Sequence, residues 1–211
     1  DDQNVEHVGK WIEIFEPILL KIQNIHLDAR NSVGLDFRQH YVKIKRISGG
    51  LIEESECIDG VVFSKALPLK NMSRVLKNPR ILVIMFPLEY QKNEQHFLSL
   101  KSVMAQEKEY LNKLVLRLTS LNPDILFVGA NVSGHALKLL NDAGIVVQFN
   151  MKPQVIERIS KLTEADIAIS VDKLATNIKL GSCQKFEVKS FVYGNLSKSY
   201  TFLSGCKHSL G

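Results

Sequence analysis

The stretch from Asn78 to Tyr90, NPRILVIMFPLEY, constrains the fold more than any other. Six consecutive apolar residues, Ile81 to Phe86, lie between Asn78-Pro79 and Pro87. A run that is apolar on both faces and closed by turn residues at each end reads as a central strand, covered above and below. The chain is therefore expected to be an α/β layer wrapped around this segment. With 211 residues it has enough material for one sizeable core, or one core plus an arm. Hydrophobic residues at 45% and charged residues at 23% are ordinary for a globular protein, so composition does not compete with that reading.

The flanking patterns agree. Residues 4–28 form an amphipathic stripe through Val5, Val8, Ile12, Phe15, Leu19, Ile22 and His26, which predicts a helix. Pro17 lies inside it and is expected to kink the helix or split it near Glu16. Trp11 shares the apolar face and is expected to be buried against the body or a neighbouring domain. Tyr41 to Lys45 alternate like a half-exposed strand, and Leu51-Ile52 and Ile58–Ser64 read as further strand pieces. Gly60 is expected at a bulge or a close backbone approach. A long helix over 98–121 has the core stripe Leu100, Met104, Leu111, Leu114, Leu118 and Leu121, and Asn122-Pro123 stops it. Strand 125–128, helix 133–141 with Gly144 at its end, strand 145–149, a helix from Pro153 to about Leu162 and strand 167–171 then alternate. That order implies parallel pairing with right-handed crossovers. After a helix-and-loop connection at 172–182, residues 186–193 and 200–203 alternate around Gly194-Asn195 as an antiparallel hairpin. The expected fold is α/β with antiparallel additions. A helical segment and linker occupy 1–37, and the α/β domain 38–211. The abrupt ends suit a piece of a longer protein.

Chemistry is harder to find. There is no phosphate-binding GxxxxGK[ST] loop, no GxGxxG, no protein-kinase signature and no HExxH. Cys57, Cys183 and Cys206 lack zinc-site spacing and are expected as reduced thiols. No apolar run approaches the ~18 residues of a membrane span, and the polar start DDQNVEHVGK is not a secretory signal. The net charge of +5 is spread along the chain; it permits contact with an anionic membrane or nucleic acid without requiring either. No basic run interleaved with aromatics speaks for nucleic acid. Glu107 and Glu109 face different directions on a helix and read as a solvated face. Ser133-Gly134-His135 lacks the glycines of a nucleophile elbow. Arg74, Lys77 and Arg80 would share a face only in a helical turn, and the plainer reading is again solvated. On the helix opened by Pro153, Val155, Ile156, Ile159 and Leu162 form the buried face; Glu157, Arg158 and Lys161 form the polar one. Composition favours a solvated face with a Glu157–Lys161 pair worth ~0.3 kcal/mol. The other reading is a contact face for a protein.

Several motifs in order carry a resemblance: VKIKRISGG and ESECIDGVVFSK within 42–65, NPRILVIMFPLEY at 78–90, QEKEYLNKLV at 106–115, GIVVQFNMKPQVIERISKLTEADI at 144–167, and TFLSGCK at 201–207. Over residues 38–208 they resemble the apical and flanking intermediate regions of group II chaperonin subunits. The short segment between Pro87 and Gln106 departs from that pattern where the chamber-closing protrusion would stand, and the helix at 4–28 does not resemble a chaperonin element. HYVKIKRISGG and LKNPRILVIMFPLEYQ most resemble the chaperonin-like middle domain of the PIKfyve family, phosphatidylinositol 3-phosphate 5-kinases, and a fungal member in particular. The resemblance implies a parent lipid kinase that uses ATP and Mg, with zinc in a separate FYVE finger, on the cytosolic face of endosome or vacuole membranes. It implies no catalytic, cofactor or metal site in this chain. The implied role is assembly: docking onto a HEAT-repeat scaffold and its Sac-type phosphoinositide phosphatase, with contacts to other domains of the parent, membrane contact only indirectly, and no nucleic acid. Carried over from the substrate-facing chaperonin helix, Gln154, Glu157, Arg158 and Lys161 are the candidate partner-binding residues. The alternative the resemblance leaves open is a polypeptide-binding apical domain of a true chaperonin.

Overall fold

The apolar run does become the centre of the molecule. In the computed structural model, which describes residues 2–23, 42–90, 100–175 and 177–206, it forms the strand Arg80–Ile84, with Ile81, Leu82, Val83 and Ile84 all buried. Asn78 takes a left-handed conformation just before it (φ 48°), a conformation asparagine tolerates, and so turns the chain into the strand.

Eight strands are described: β1 (Gly60–Phe63), β2 (Val75–Lys77), β3 (Arg80–Ile84), β4 (Ile125–Val128), β5 (Val146–Gln148), β6 (Ile167–Ala168), β7 (Gly181–Tyr193) and β8 (Leu196–Cys206). They form one sheet in the order β1-β8-β7-β3-β4-β5, with β2 paired to β7 and β6 to β3. β4 and β6 run parallel to β3, and β5 parallel to β4, as the strand–helix alternation implies. β7 joins β3 antiparallel through Arg80–Ser182 and Ile81–Gly181, which grafts the long hairpin onto the parallel half.

Four α-helices are described: α1 (Asp2–Gln23), α2 (Leu100–Ser120), α3 (Gly134–Asp142) and α4 (Pro153–Thr163). The pleat sorts the central strands into two cores. Leu82, Ile84, Leu126, Val128 and Val147 face α2 and α3, where Leu111, Leu114, Leu118 and Leu140 meet them. Ile81, Val83, Ile125, Phe127 and Val146 face Ile156, Ile159 and Leu162 of α4, together with Phe63, Phe186 and Leu203 of the antiparallel part. Phe127 stacks edge-on against both Phe63 and Phe186, at 6.1 and 6.5 Å between ring centroids. Gly60 is a close approach, as expected: a Cβ there would collide with the backbone carbonyl of Leu203 on β8.

Several expectations fail for identifiable reasons. α1 runs unbroken through Pro17. Glu13, whose carbonyl loses its donor, is exposed, so water can take that carbonyl's hydrogen bond. Trp11 is not buried against the body; it stacks on Phe15 at 5.1 Å and stays 40% exposed. Residues 42–47 form no strand: they pass beside β8, where Lys45 reaches the Tyr200 ring, without forming a strand ladder. Leu51-Ile52 are not strand either: the Glu54 carboxylate accepts the Leu51 amide at 2.9 Å and closes the 3-10 turn Ile52–Glu54. Met104 leaves the core stripe and is exposed, since α2 lies on the sheet only from Leu111 onward. The last parallel strand stops at Ala168 and gives way to a 3-10 turn, Val171–Ala175. The hairpin, by contrast, is longer than its alternating segments suggest. Residues 24–28 of the first helical pattern, Tyr41, and residues 91–99 lie outside the described residues.

Candidate functional site

The candidate partner-binding residues sit on α4. Lys152 caps it with extended backbone (φ −65°, ψ 138°), Pro153 takes the first-turn position where its missing amide costs nothing, and Glu164 ends it in a left-handed conformation (φ 59°). Its inner face is held down by Ile156, Ile159 and Leu162, all buried, and by the Thr163 hydroxyl, which donates to the Ile159 carbonyl at 2.6 Å. Just past the helix, Glu164 pairs with Lys179 at 2.6 Å and the Asp166 carboxylate accepts the Lys179 amide at 2.9 Å. These contacts tie the helix end to the strand that follows.

The outer face therefore has a fixed direction. Gln154, Glu157 and Lys161 are exposed along one side of α4, and Arg158 is half-buried and engaged. Among the described residues no ion pair joins Glu157 to Lys161, so the i,i+4 contact expected from spacing does not form. The face is a polar ridge on a rigid helix, suited to hydrogen bonding and charge pairing with another surface, and it contains no nucleophile with an adjacent base.

The other sequence candidates become structural. Ser133 caps α3 by accepting the Ala136 amide at 3.2 Å, and His135 Nε2 lies 3.3 Å from Asn112 Oδ1 on α2. Glu109 pairs with Lys113 at 2.7 Å on the wet face of α2. Arg74, Lys77 and Arg80 share no helical turn: Lys77 is in β2, the Arg74 guanidinium donates to Ser190, and the Arg80 guanidinium donates to the Leu121 carbonyl. Among the described residues no group of three His, Cys, Asp or Glu side chains could hold a metal ion, and no helix is long and apolar enough to cross a membrane. Sequence reasoning did miss one cluster. Lys45 and Lys198, far apart in the chain, both stand over the Tyr200 ring at the outer end of β8. Only the short run Lys43-Ile44-Lys45 hints at it, since the remaining members come from separate turns.

The comparisons with known proteins decide the family. The TCP-1/cpn60 chaperonin family matches residues 14–210. The chain belongs to that family. The match starts inside α1, so the family pattern takes in part of that helix, contrary to the expectation from its sequence. An open-state monomer of a group II chaperonin from Methanococcoides burtonii superposes with a TM-score of 0.66 at 22% identity, over 88% of this chain and 40% of that one. That likeness establishes the fold. Within the family, the sequence is similar to a region of phosphatidylinositol 3-phosphate 5-kinases. It is 69% identical over its whole length to 1-phosphatidylinositol 3-phosphate 5-kinase FAB1 of Saccharomyces cerevisiae and 35% identical over 96% of its length to the human 1-phosphatidylinositol 3-phosphate 5-kinase. The chain spans 9% and 10% of these relatives, respectively.

Proposed function

We propose that this chaperonin-like domain is a non-catalytic assembly and regulatory element of a phosphatidylinositol 3-phosphate 5-kinase. The observation that carries the reading is whole-length identity of 69% to one such kinase, of which the chain spans only a tenth or so. A segment of that share, folded around its own core, is suited to positioning other parts of a long chain. The parent kinase uses ATP and Mg, carries zinc in a separate finger, and works on the cytosolic face of endosome or vacuole membranes. The domain docks onto a HEAT-repeat scaffold and the Sac-type phosphatase it carries. The exposed ridge of α4 supports this role, because a rigid helix with a buried inner face presents Gln154, Glu157, Arg158 and Lys161 at little entropic cost.

The test is a pull-down with purified scaffold. Replacing Glu157, Arg158 and Lys161 together by alanine weakens capture at least tenfold while the melting temperature moves by no more than a few degrees. Unchanged capture puts the interface elsewhere. Phosphoinositide turnover by the purified chain would sink the non-catalytic reading.

A further inference from the structure

The hairpin β7–β8 ends in an apolar tip. Tyr193 and Leu196 face each other across the Gly194-Asn195 turn, 67% and 75% exposed, and Val192 beside them is also exposed. Ile44, at 84% exposure, lies on the segment that runs against the hairpin, where Gly49 packs on the Val192 backbone. Three large apolar side chains stand in water at the tip, and Ile44 stands exposed on the neighbouring segment.

Immediately behind the tip the charge is positive. The Lys45 and Lys198 ammonium groups share the Tyr200 ring, at 5.1 and 5.6 Å from its centroid. Lys198 also lines a recess with Lys65, whose ammonium donates to the Asn150 carbonyl at 3.3 Å; Ser64, Ser197 and Ser199 line the same recess, the Ser199 hydroxyl lying 2.8 Å from that of Ser190. Partial burial, then the charges of Lys43, Lys198 and Lys152, hold the Lys45 pKa below its ordinary value, so the surrounding charges are of its own sign. The carboxylate on β7, Glu187, is turned to Lys185 at 2.7 Å and Lys189 at 3.7 Å, further from the tip, Glu56 lies 3.9 Å from Lys189, and the Glu54 carboxylate, beside the Gly49-Gly50 turn that packs on Val192, accepts the Leu51 amide at 2.9 Å. Like charges held this close cost stability unless an anionic partner takes them up.

We propose that the outer end of the β7–β8 hairpin docks on an anionic lipid bilayer. Tyr193, Leu196 and Val192 enter the interfacial layer, where an aromatic ring with a hydroxyl and short aliphatic groups are most at home, and the exposed Ile44 adds apolar surface beside them. Lys43, Lys45, Lys198, Lys65 and Lys152 take the lipid phosphates. An acidic polypeptide would satisfy the lysines but leave the tip in water, and a neutral bilayer would do the reverse. A negatively charged bilayer satisfies both. This contact is direct, in contrast to the indirect one expected from sequence, and it stands independently of the scaffold reading.

The experiment is vesicle flotation of the purified chain on phosphatidylcholine alone and on phosphatidylcholine containing phosphatidylserine. The chain floats with the anionic vesicles, is left behind by the neutral ones, and is released as salt is raised. Each lysine at such a surface is worth roughly fivefold in partitioning, so K45E/K198E loses about 25-fold or more, while K45R/K198R retains binding. Y193S/L196S weakens binding, and I12S/F15S on the exposed face of α1 does not. Circular dichroism confirms that each variant is folded. Failure to float, equal flotation on both compositions, retention by K45E/K198E, or loss confined to I12S/F15S would each overturn the proposal. Capture of soluble polyglutamate without flotation would overturn it in favour of an acidic polypeptide.

Discussion

At the scale of single residues, the most exacting site is a buried polar chain between the two halves of the sheet. The Gln148 amide on β5 donates to the Thr201 hydroxyl at 2.7 Å, and that hydroxyl donates to the Lys65 carbonyl at 3.0 Å. Gln148 and Thr201 are both fully buried, and Gln148 Oε1 has no partner among the described groups. A buried group that loses its partner incurs the full cost of its desolvation, about 1–3 kcal/mol. Thr201→Val orphans both the Gln148 amide and the Lys65 carbonyl, so it lowers stability by about 2 kcal/mol. Gln148→Met also removes the unpartnered Oε1 and costs less. Urea midpoints of the two variants give that order; equal losses would show that the hydroxyl is not the hub. Nothing local in the sequence marks this chain, because its three members lie in separate segments that only the sheet brings together.

At the scale of elements, the hairpin shows how tertiary pairing rewrites a sequence reading. Cys183 and Cys206, remote in the chain, stand opposite each other in the register of β7 and β8, both buried. Burial raises the Cys183 pKa from 9.0 to about 11. Burial, followed by the nearby Cys183 and Asp59, raises that of Cys206 to about 12. The sign follows directly. Above about pH 9 the unfolded chain ionises these thiols while the folded chain does not. The stability they contribute is whole below that pH and is lost as pH rises through about 11 and 12. Urea midpoints therefore drop from about pH 8 to about pH 10.5, and a Cys183→Ala/Cys206→Ala chain shows a flatter profile over the same window. An unchanged slope in the double variant would assign the alkaline loss to other groups. The alternating signal that predicts this hairpin covered β7 from Phe186 to its tip but only Tyr200–Leu203 of β8, whose burial runs from exposed at the tip to a continuous buried stretch rather than alternating. For α4 the 3-4 spacing was enough: its buried and exposed sides fall as expected, apart from the half-buried Val155 and Arg158.

At the scale of the whole molecule, two cores share one set of strands. Because β3, β4 and β5 contribute to both faces, neither core can open without the other, and the sheet with α2, α3 and α4 unfolds as a unit. α1 is different. It meets the body at the 3-10 turn Ile52–Glu54 and leaves Val8, Trp11, Ile12, Phe15, Leu19 and Leu20 exposed. The only tryptophan of the chain lies on it, which gives a direct readout. Trp11 emission is that of a solvated indole in the native chain, and its change with denaturant precedes the circular dichroism transition. Coincident transitions would make α1 part of the cooperative unit.

The sequence by itself determined the α/β class, the central strand at β3, the parallel order of the strands that follow, the buried face of α4 and the family. Each of these is written in short-range periodicity, in turn chemistry or in ordered motifs, which survive being read one segment at a time. Only the tertiary structure decided that 42–47 would pass the hairpin without joining the sheet, that α1 would stand exposed, that two distant cysteines would face each other, and that lysines from separate segments would gather behind an apolar tip. Those outcomes depend on which strand reaches which edge first, and on distances between residues far apart in the chain, neither of which local pattern encodes.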